Sequence, residues 1–150
     1  MSDIGLFQIN RCFDIVVESD DLKPDDGLET AVAISVFSDK RVTSDDLPEF
    51  ATDKKGWWGD MFPEVPNDKI GSRLWLLDRE KTTNETLRRS EDFIKESLTW
   101  MLEDGVASDI TVQSSYDDNN QAIPIVEISR PGSESVRYQV LWESQEIRRA

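Results

Sequence analysis

The stretch Thr82-Thr83-Asn84-Glu85-Thr86-Leu87-Arg88-Arg89-Ser90-Glu91-Asp92-Phe93-Ile94-Lys95-Glu96-Ser97-Leu98-Thr99-Trp100-Met101-Leu102-Glu103-Asp104-Gly105 decides the fold class. Leu87, Ile94, Leu98, Met101 and Leu102 fall along one helical stripe, the arrangement that lets an amphipathic helix lie on a core. Thr82 and Glu85 have capping-box spacing, and Gly105 supplies a residue that tolerates the positive φ of a helix stop. The pattern predicts a long helix from about Asn84 to Asp104.

Beyond the helix the period changes. Asp109-Ile110-Thr111-Val112-Gln113 alternates polar and apolar, and Val136, Tyr138, Val140 and Trp142 share one face of a second alternating run. Ile123 to Ser129 makes a third strand, with Pro124 suited to a strand start or a sheet edge. Asp117-Asp118-Asn119-Asn120 and Pro131-Gly132-Ser133 have hairpin composition, so the runs predict an antiparallel meander with the helix over one face. The tail Glu146-Ile147-Arg148-Arg149-Ala150 reads as a frayed end. The expected class is α+β: three or four antiparallel strands against the long helix, with one or two shorter helices, in one domain spanning 1–150.

Upstream, Phe13-Asp14-Ile15-Val16-Val17 reads as a strand and Asp20 to Gly27 as a polar turn. Leu28 to Phe37 suits either a buried strand or a helix, since Leu28, Ala31, Val32 and Ser35 also keep helical spacing. Gly71 to Arg79 suggests a short helix with Ser72 as its N-cap. Between them, from Ser38 to about Ile70, no period is sustained and a long ordered loop is expected.

That loop contains Lys54-Lys55-Gly56-Trp57-Trp58-Gly59-Asp60. Adjacent side chains point in different directions in any regular element, so one core does not easily take both indoles. Either the rings plug one side of a small core beside a glycine turn, or Trp57 and Trp58 form a contact for another protein. Asp60 reads as a turn or capping carboxylate, while Trp75 and Trp100 fall in apolar periodic segments and read as core. Asp39, Lys40 and Arg41 form a polar helix end or an ion-pair contact to a neighbouring subunit.

Composition excludes whole classes of function. Thirty-one acidic residues against 17 basic ones give a net charge of -14, a field that repels nucleic acid and anionic membrane surfaces. Met1 to Asn10 has no basic n-region, and no apolar run nears the roughly 20 residues of a membrane span, so the chain is expected to be made as a soluble cytoplasmic protein. Cys12 is the single cysteine, which leaves no intramolecular disulfide. With no histidine, the commonest general base, the Ser-His-Asp arrangement and most zinc sites are absent. No catalytic, cofactor or metal residue is assigned. The pairs Asp20-Asp21, Asp25-Asp26, Asp45-Asp46 and Asp117-Asp118 lack EF-hand spacing and read as solvated loop charge.

The order Leu28-Glu-Thr-Ala-Val-Ala-Ile-Ser-Val-Phe-Ser-Asp39-Lys40-Arg41, Gly56-Trp57-Trp58-Gly59-Asp60 and Gly71-Ser72-Arg73-Leu74-Trp75-Leu76-Leu77 closely resembles a protein family of Mu-like phages and prophages assigned to the tail baseplate. The likeness runs from about Phe13 to Trp142. A weaker one extends to the wedge, or lysozyme-like, proteins of contractile-tail baseplates and their type VI secretion counterpart. Against the wedge pattern, Asp39-Lys40-Arg41 stands for a Gly-Glu-Arg-like turn, Gly71-Ser72 for a Gly-Ser step, and Trp100 for a helix tryptophan. Glu103-Asp104-Gly105 departs from the Glu-Pro-Arg that the wedge proteins carry after that helix. The resemblance implies a helix at Leu28 to Phe37 and a structural role in a tail baseplate. It also implies other wedge subunits, and the tail tube or sheath, as partners, with Trp57, Trp58, Asp60, Asp39, Lys40 and Arg41 as interface residues.

Two other functions remain open at this stage. A carboxylate-dependent peptidoglycan hydrolase survives the absence of histidine, with Glu49 and Asp60 as the acids to test, although no acid pair stands out among so many. An acidic decoy that mimics nucleic acid is permitted by charge alone.

Overall fold

The computed structural model describes residues 3–9, 12–25, 27–49 and 51–150. Met1, Ser2 and Asn10 of the amino-terminal stretch, and Asp26 of the acidic pair, lie outside the described residues.

The helical stripe and the meander assemble as an α+β fold, with local differences that have physical causes. After α1 (Glu29–Phe37), α2 (Asn84–Ser97) starts at Asn84 as predicted, but its cap is Thr83 and not Thr82: the Thr83 side chain accepts from the Thr86 N–H. Glu85 falls in the first turn, where its charge suits the helix dipole. The predicted single helix is divided at Leu98 (φ -102°, ψ 0°), after which α3 (Thr99–Glu103) resumes. Ser97 Oγ donates to the Ile94 carbonyl at 2.8 Å and Thr99 Oγ1 to that of Lys95 at 3.1 Å. Such back-bonding competes with the helix ladder and bends it. Gly105 closes α3 with φ +71°, as its position suggests.

The sheet has four antiparallel strands in the order β10, β9, β8, β7. These are β7 (Asp109–Tyr116), β8 (Ala122–Ser129), β9 (Val136–Leu141) and β10 (Glu146–Arg149). The tail is therefore a strand and not a frayed end, with Ile147 opposite Val140 and only 6% exposed. One buried apolar residue in a charged run left little to read. Pro124 lies near the start of β8, where pairing with β9 stops at Ile125–Gln139 while pairing with β7 continues to Ala122. The missing N–H is thus placed where no bond to β9 is formed.

α1 confirms the helix that the resemblance implied and that periodicity left open. Val32, Ala33, Ser35 and Val36 are buried, while the apolar composition of the whole segment hides which face is inward. Tyr138 ties its start to the sheet, accepting the Leu28 N–H at 2.8 Å. The main core joins Val32 and Val36 to Leu74 and Trp75, to Ile94, Leu98 and Met101, and to Ile110, Val126, Ile128 and Val140.

The amino-terminal region is more strand-rich than predicted. β1 (Asp3–Ile4) pairs with β6 (Pro24–Asp25), β2 (Leu6–Ile9) with β3 (Cys12–Ile15), and β4 (Val17–Glu18) with β5 (Asp21–Leu22). The expected strand Phe13–Val17 is interrupted at Val16, and the polar turn after it carries β5 and β6. Short two-residue ladders leave no periodicity to detect.

The long loop is present and is closed at its base. Asp39 bridges Ser72 in parallel, Lys40 N–H donates to the Ser72 carbonyl at 2.9 Å, and Ser72 N–H to that of Ser38 at 2.8 Å. Gly71, at φ +101°, makes this approach feasible, because a Cβ there would lie 2.5 Å from the Ser38 carbonyl oxygen. The helix predicted at Gly71–Arg79 contracts to a 3-10 turn, Leu74–Leu77. Ser72 is not its N-cap residue; its hydroxyl donates to the Val36 carbonyl at 2.6 Å and accepts from the Leu74 N–H at 3.3 Å.

Candidate interaction surface

The loop base consumes the three polar residues singled out from the sequence. Asp39 pairs with Lys55 at 2.8 Å, Lys40 with Glu96 at 2.8 Å, and Arg41 donates to the Lys55 carbonyl at 3.2 Å. Arg73 also holds Glu96, through Nε at 2.9 Å and Nη2 at 2.6 Å. Burial pushes the Glu96 carboxyl up, but its hydrogen bonds and charge contacts with Lys40 and Arg73 prevail and hold it below the ordinary carboxylate value. Trp75 is buried beside this network, donating its indole N–H to the Lys40 carbonyl at 3.0 Å under the Lys55 ammonium.

The tryptophan pair lies farther out, on a 3-10 turn (Trp58–Met61). Gly56, at φ +103°, passes so close to Arg41 that a Cβ would meet that side chain at 2.5 Å. Gly59 carries the Trp57 ring, whose atoms would lie 2.2 Å from a Cβ there. Glycine on each side of the pair thus brings the turn against Arg41 and folds one indole over the chain. The two rings lean together, with centroids 5.4 Å apart at 49°.

Neither ring is a core plug. Trp57 is 50% exposed and Trp58 74%, and they are followed by Met61 at 68%, Phe62 at 78% and Val65 at 61%. Sequence reading marked the indoles but missed Met61, Phe62 and Val65, because an exposed apolar residue in an aperiodic loop leaves no pattern. These five side chains together expose on the order of 600 Å² of largely apolar surface along one stretch of loop.

Asp60 faces back into the loop. Its Oδ1 accepts the Ile70 N–H at 3.2 Å, while Oδ2 is buried with no hydrogen-bond partner among the described residues. It also lines a groove of about 520 Å³ whose apolar walls are Ala31 and Ile34 of α1, Trp57 and Trp100. Trp100 is 36% exposed and not fully in the core as its periodicity suggested; its indole donates to Ser35 Oγ at 3.0 Å. It lies on α3, just past the helix interruption at Leu98, and lines the groove. Glu49, the other acid considered for hydrolysis, is exposed on the loop. The described residues contain no group of three or more Cys, Asp or Glu side chains placed to hold a metal ion, and no helix long and apolar enough to cross a membrane.

The loop and most of the groove's lining fall inside a region shared with known proteins. Relatives include the baseplate protein gp46 of Escherichia phage Mu, 43% identical over 115 residues that cover 76% of this chain and 77% of that protein. The Mu-like prophage FluMu protein gp46 of Haemophilus influenzae is 36% identical over 117 residues, 77% of each chain. The family model described as phage protein GP46 matches residues 28–135, from the start of α1 to the edge of β9, and takes in the tryptophan turn, the closed loop base and two of the sheet's four strands, β7 and β8. On these matches the chain belongs to the GP46 family of phage proteins.

Proposed function

We propose that the protein is a structural component of a phage or prophage tail baseplate, held in the virion tail by protein contacts and performing no catalysis. The baseplate name of the phage Mu relative supports the assembly, and the exposed turn Trp57–Val65 supports the mode of attachment. Leaving five large apolar side chains in water costs a free monomer solubility, a cost that burial against another subunit removes. At about 25 cal/mol per Å² the patch offers a large gross driving force, from which the entropy of association and side-chain ordering must be subtracted.

In this reading Gly56 and Gly59 preorganise the turn, so that less freedom is lost on docking. The charge of -14 steers the chain toward basic faces of its neighbours. Larger wedge subunits are the partners, with the tail tube or sheath beyond them. Asp39, Lys40 and Arg41 serve the interface from beneath, since their intrachain pairs hold the loop that presents Trp57 and Trp58. The test replaces Trp57 and Trp58 together by alanine and follows incorporation into tails made by the strain that carries the gene. The variant chain should fold as the parent does and be missing from purified tails; a folded variant that incorporates fully overturns the proposal.

A further inference from the structure

The groove beside the turn has its own chemistry. Ile34, Trp57 and Trp100 form walls that are 38%, 50% and 36% exposed, an unusual concentration of half-covered apolar side chains around one concavity. Among the described residues, Asp25, Asp60 and Asp68 line it against a single cation, Lys69. The Asp25 carboxylate is already occupied by the N–H groups of Gly27 at 2.9 Å and Thr30 at 2.8 Å. Asp60 Oδ2, in contrast, accepts nothing among the described residues.

We infer that this groove receives a lysine or arginine side chain, flanked by an apolar residue, from a segment of another tail protein. The inference rests on the baseplate reading and names the chemistry of the partner. Acidic lining with indole faces on the walls attracts a cation twice, by charge and by cation–π contact. The fold already makes such contacts internally, with Lys55 over Trp75 at 4.9 Å and Arg73 over Phe93 at 4.6 Å. A second copy of this chain is disfavoured, because each copy carries the same net charge of -14. An anionic ligand meets the same carboxylates. Since Oδ2 is buried in the free chain, direct pairing with it requires the side chains around it to shift.

The test has two arms. In the first, the full chain is titrated with acetyl-Trp-Arg-Leu-amide and with the same peptide carrying neutral citrulline for arginine, while the indole N–H resonances are followed. The arginine peptide should shift the Trp57 and Trp100 signals and bind about fivefold more tightly than the citrulline peptide. Asp60→Asn should erase that preference, and Asp68→Asn should weaken it. Equal binding of both peptides, or unmoved indoles at millimolar peptide, overturns the inference.

In the second arm a photo-crosslinking phenylalanine derivative replaces Ile34 in the chain within assembled tails, and the captured peptide is sequenced. Attachment within two residues of a lysine or arginine of another tail protein is expected. Attachment to a segment without a cation, or to another copy of this chain, overturns the groove inference while leaving the baseplate reading standing. Absence of the parent chain from tails overturns the baseplate reading itself.

Discussion

Ile147→Ala tests whether the last residues form a working strand. Ile147 is 6% exposed on β10, opposite Val140, and belongs to the main core. The substitution removes about three methylene equivalents, worth roughly 2.4 kcal/mol at about 0.8 kcal/mol each. A cavity adds to this in a rigid interior, but β10 is a terminal edge strand that can close part of the space. The expected loss is therefore about 2–3 kcal/mol, or a fall in Tm of roughly 5–10 °C for a chain of this length. Urea unfolding at pH 7, followed by tryptophan emission and by far-ultraviolet circular dichroism, measures it. Arg148→Ala is the control: its guanidinium is largely exposed and pairs with Glu146, so a change within about 0.5 kcal/mol is expected. A loss below about 0.5 kcal/mol for Ile147→Ala would refute the reasoning and return the tail to a frayed end.

Glu96→Gln should cost about 1–2 kcal/mol by denaturant unfolding, because Lys40 and Arg73 lose their shared carboxylate at a site still partly open to solvent. The lowered Glu96 value has a defined sign: its stabilisation is complete above the ordinary carboxylate range and is lost as pH falls through the lower folded value. Stability measured between neutral and acid pH should fall less steeply in Glu96→Gln at the acid end. Gly71→Ala should cost more than about 2 kcal/mol, since it combines φ +101° with a Cβ 2.5 Å from a backbone oxygen. Gly59→Ala should change stability by less than about 1 kcal/mol yet displace the half-exposed Trp57 ring, which a shifted tryptophan emission and reduced entry into tails would report.

The parts of the fold that were legible in the sequence are those with a period. Leu87 to Leu102 and the alternation at Val136 to Trp142 pointed to a helix on a meander, and the α+β fold follows them. Where period was absent, the reading failed or stayed open. Ile147 is a single apolar residue among charges, the two-residue strands β1, β4, β5 and β6 are too short to alternate, and α1 is mostly apolar, with Ser35 among its buried residues. Hydroxyl back-bonds at Ser97 and Thr99 broke the long helix, and no apolar pattern announces them.

The site was half legible for a related reason. Adjacent Trp57 and Trp58 conflict with packing in any regular element, and that conflict identified the turn. The ion pairs of Asp39 and Lys40 join residues far apart in sequence, and so does the groove between Ile34, Trp57 and Trp100; only the fold brings them together.

The central claim is that the exposed turn becomes buried when the protein enters a tail. Hydroxyl-radical footprinting of Trp58, Met61 and Phe62, compared between the free chain and purified tails, tests it most directly. Strong oxidation in the free chain and marked protection in tails is the predicted result; equal oxidation in both, with the chain present in the tails, would contradict it.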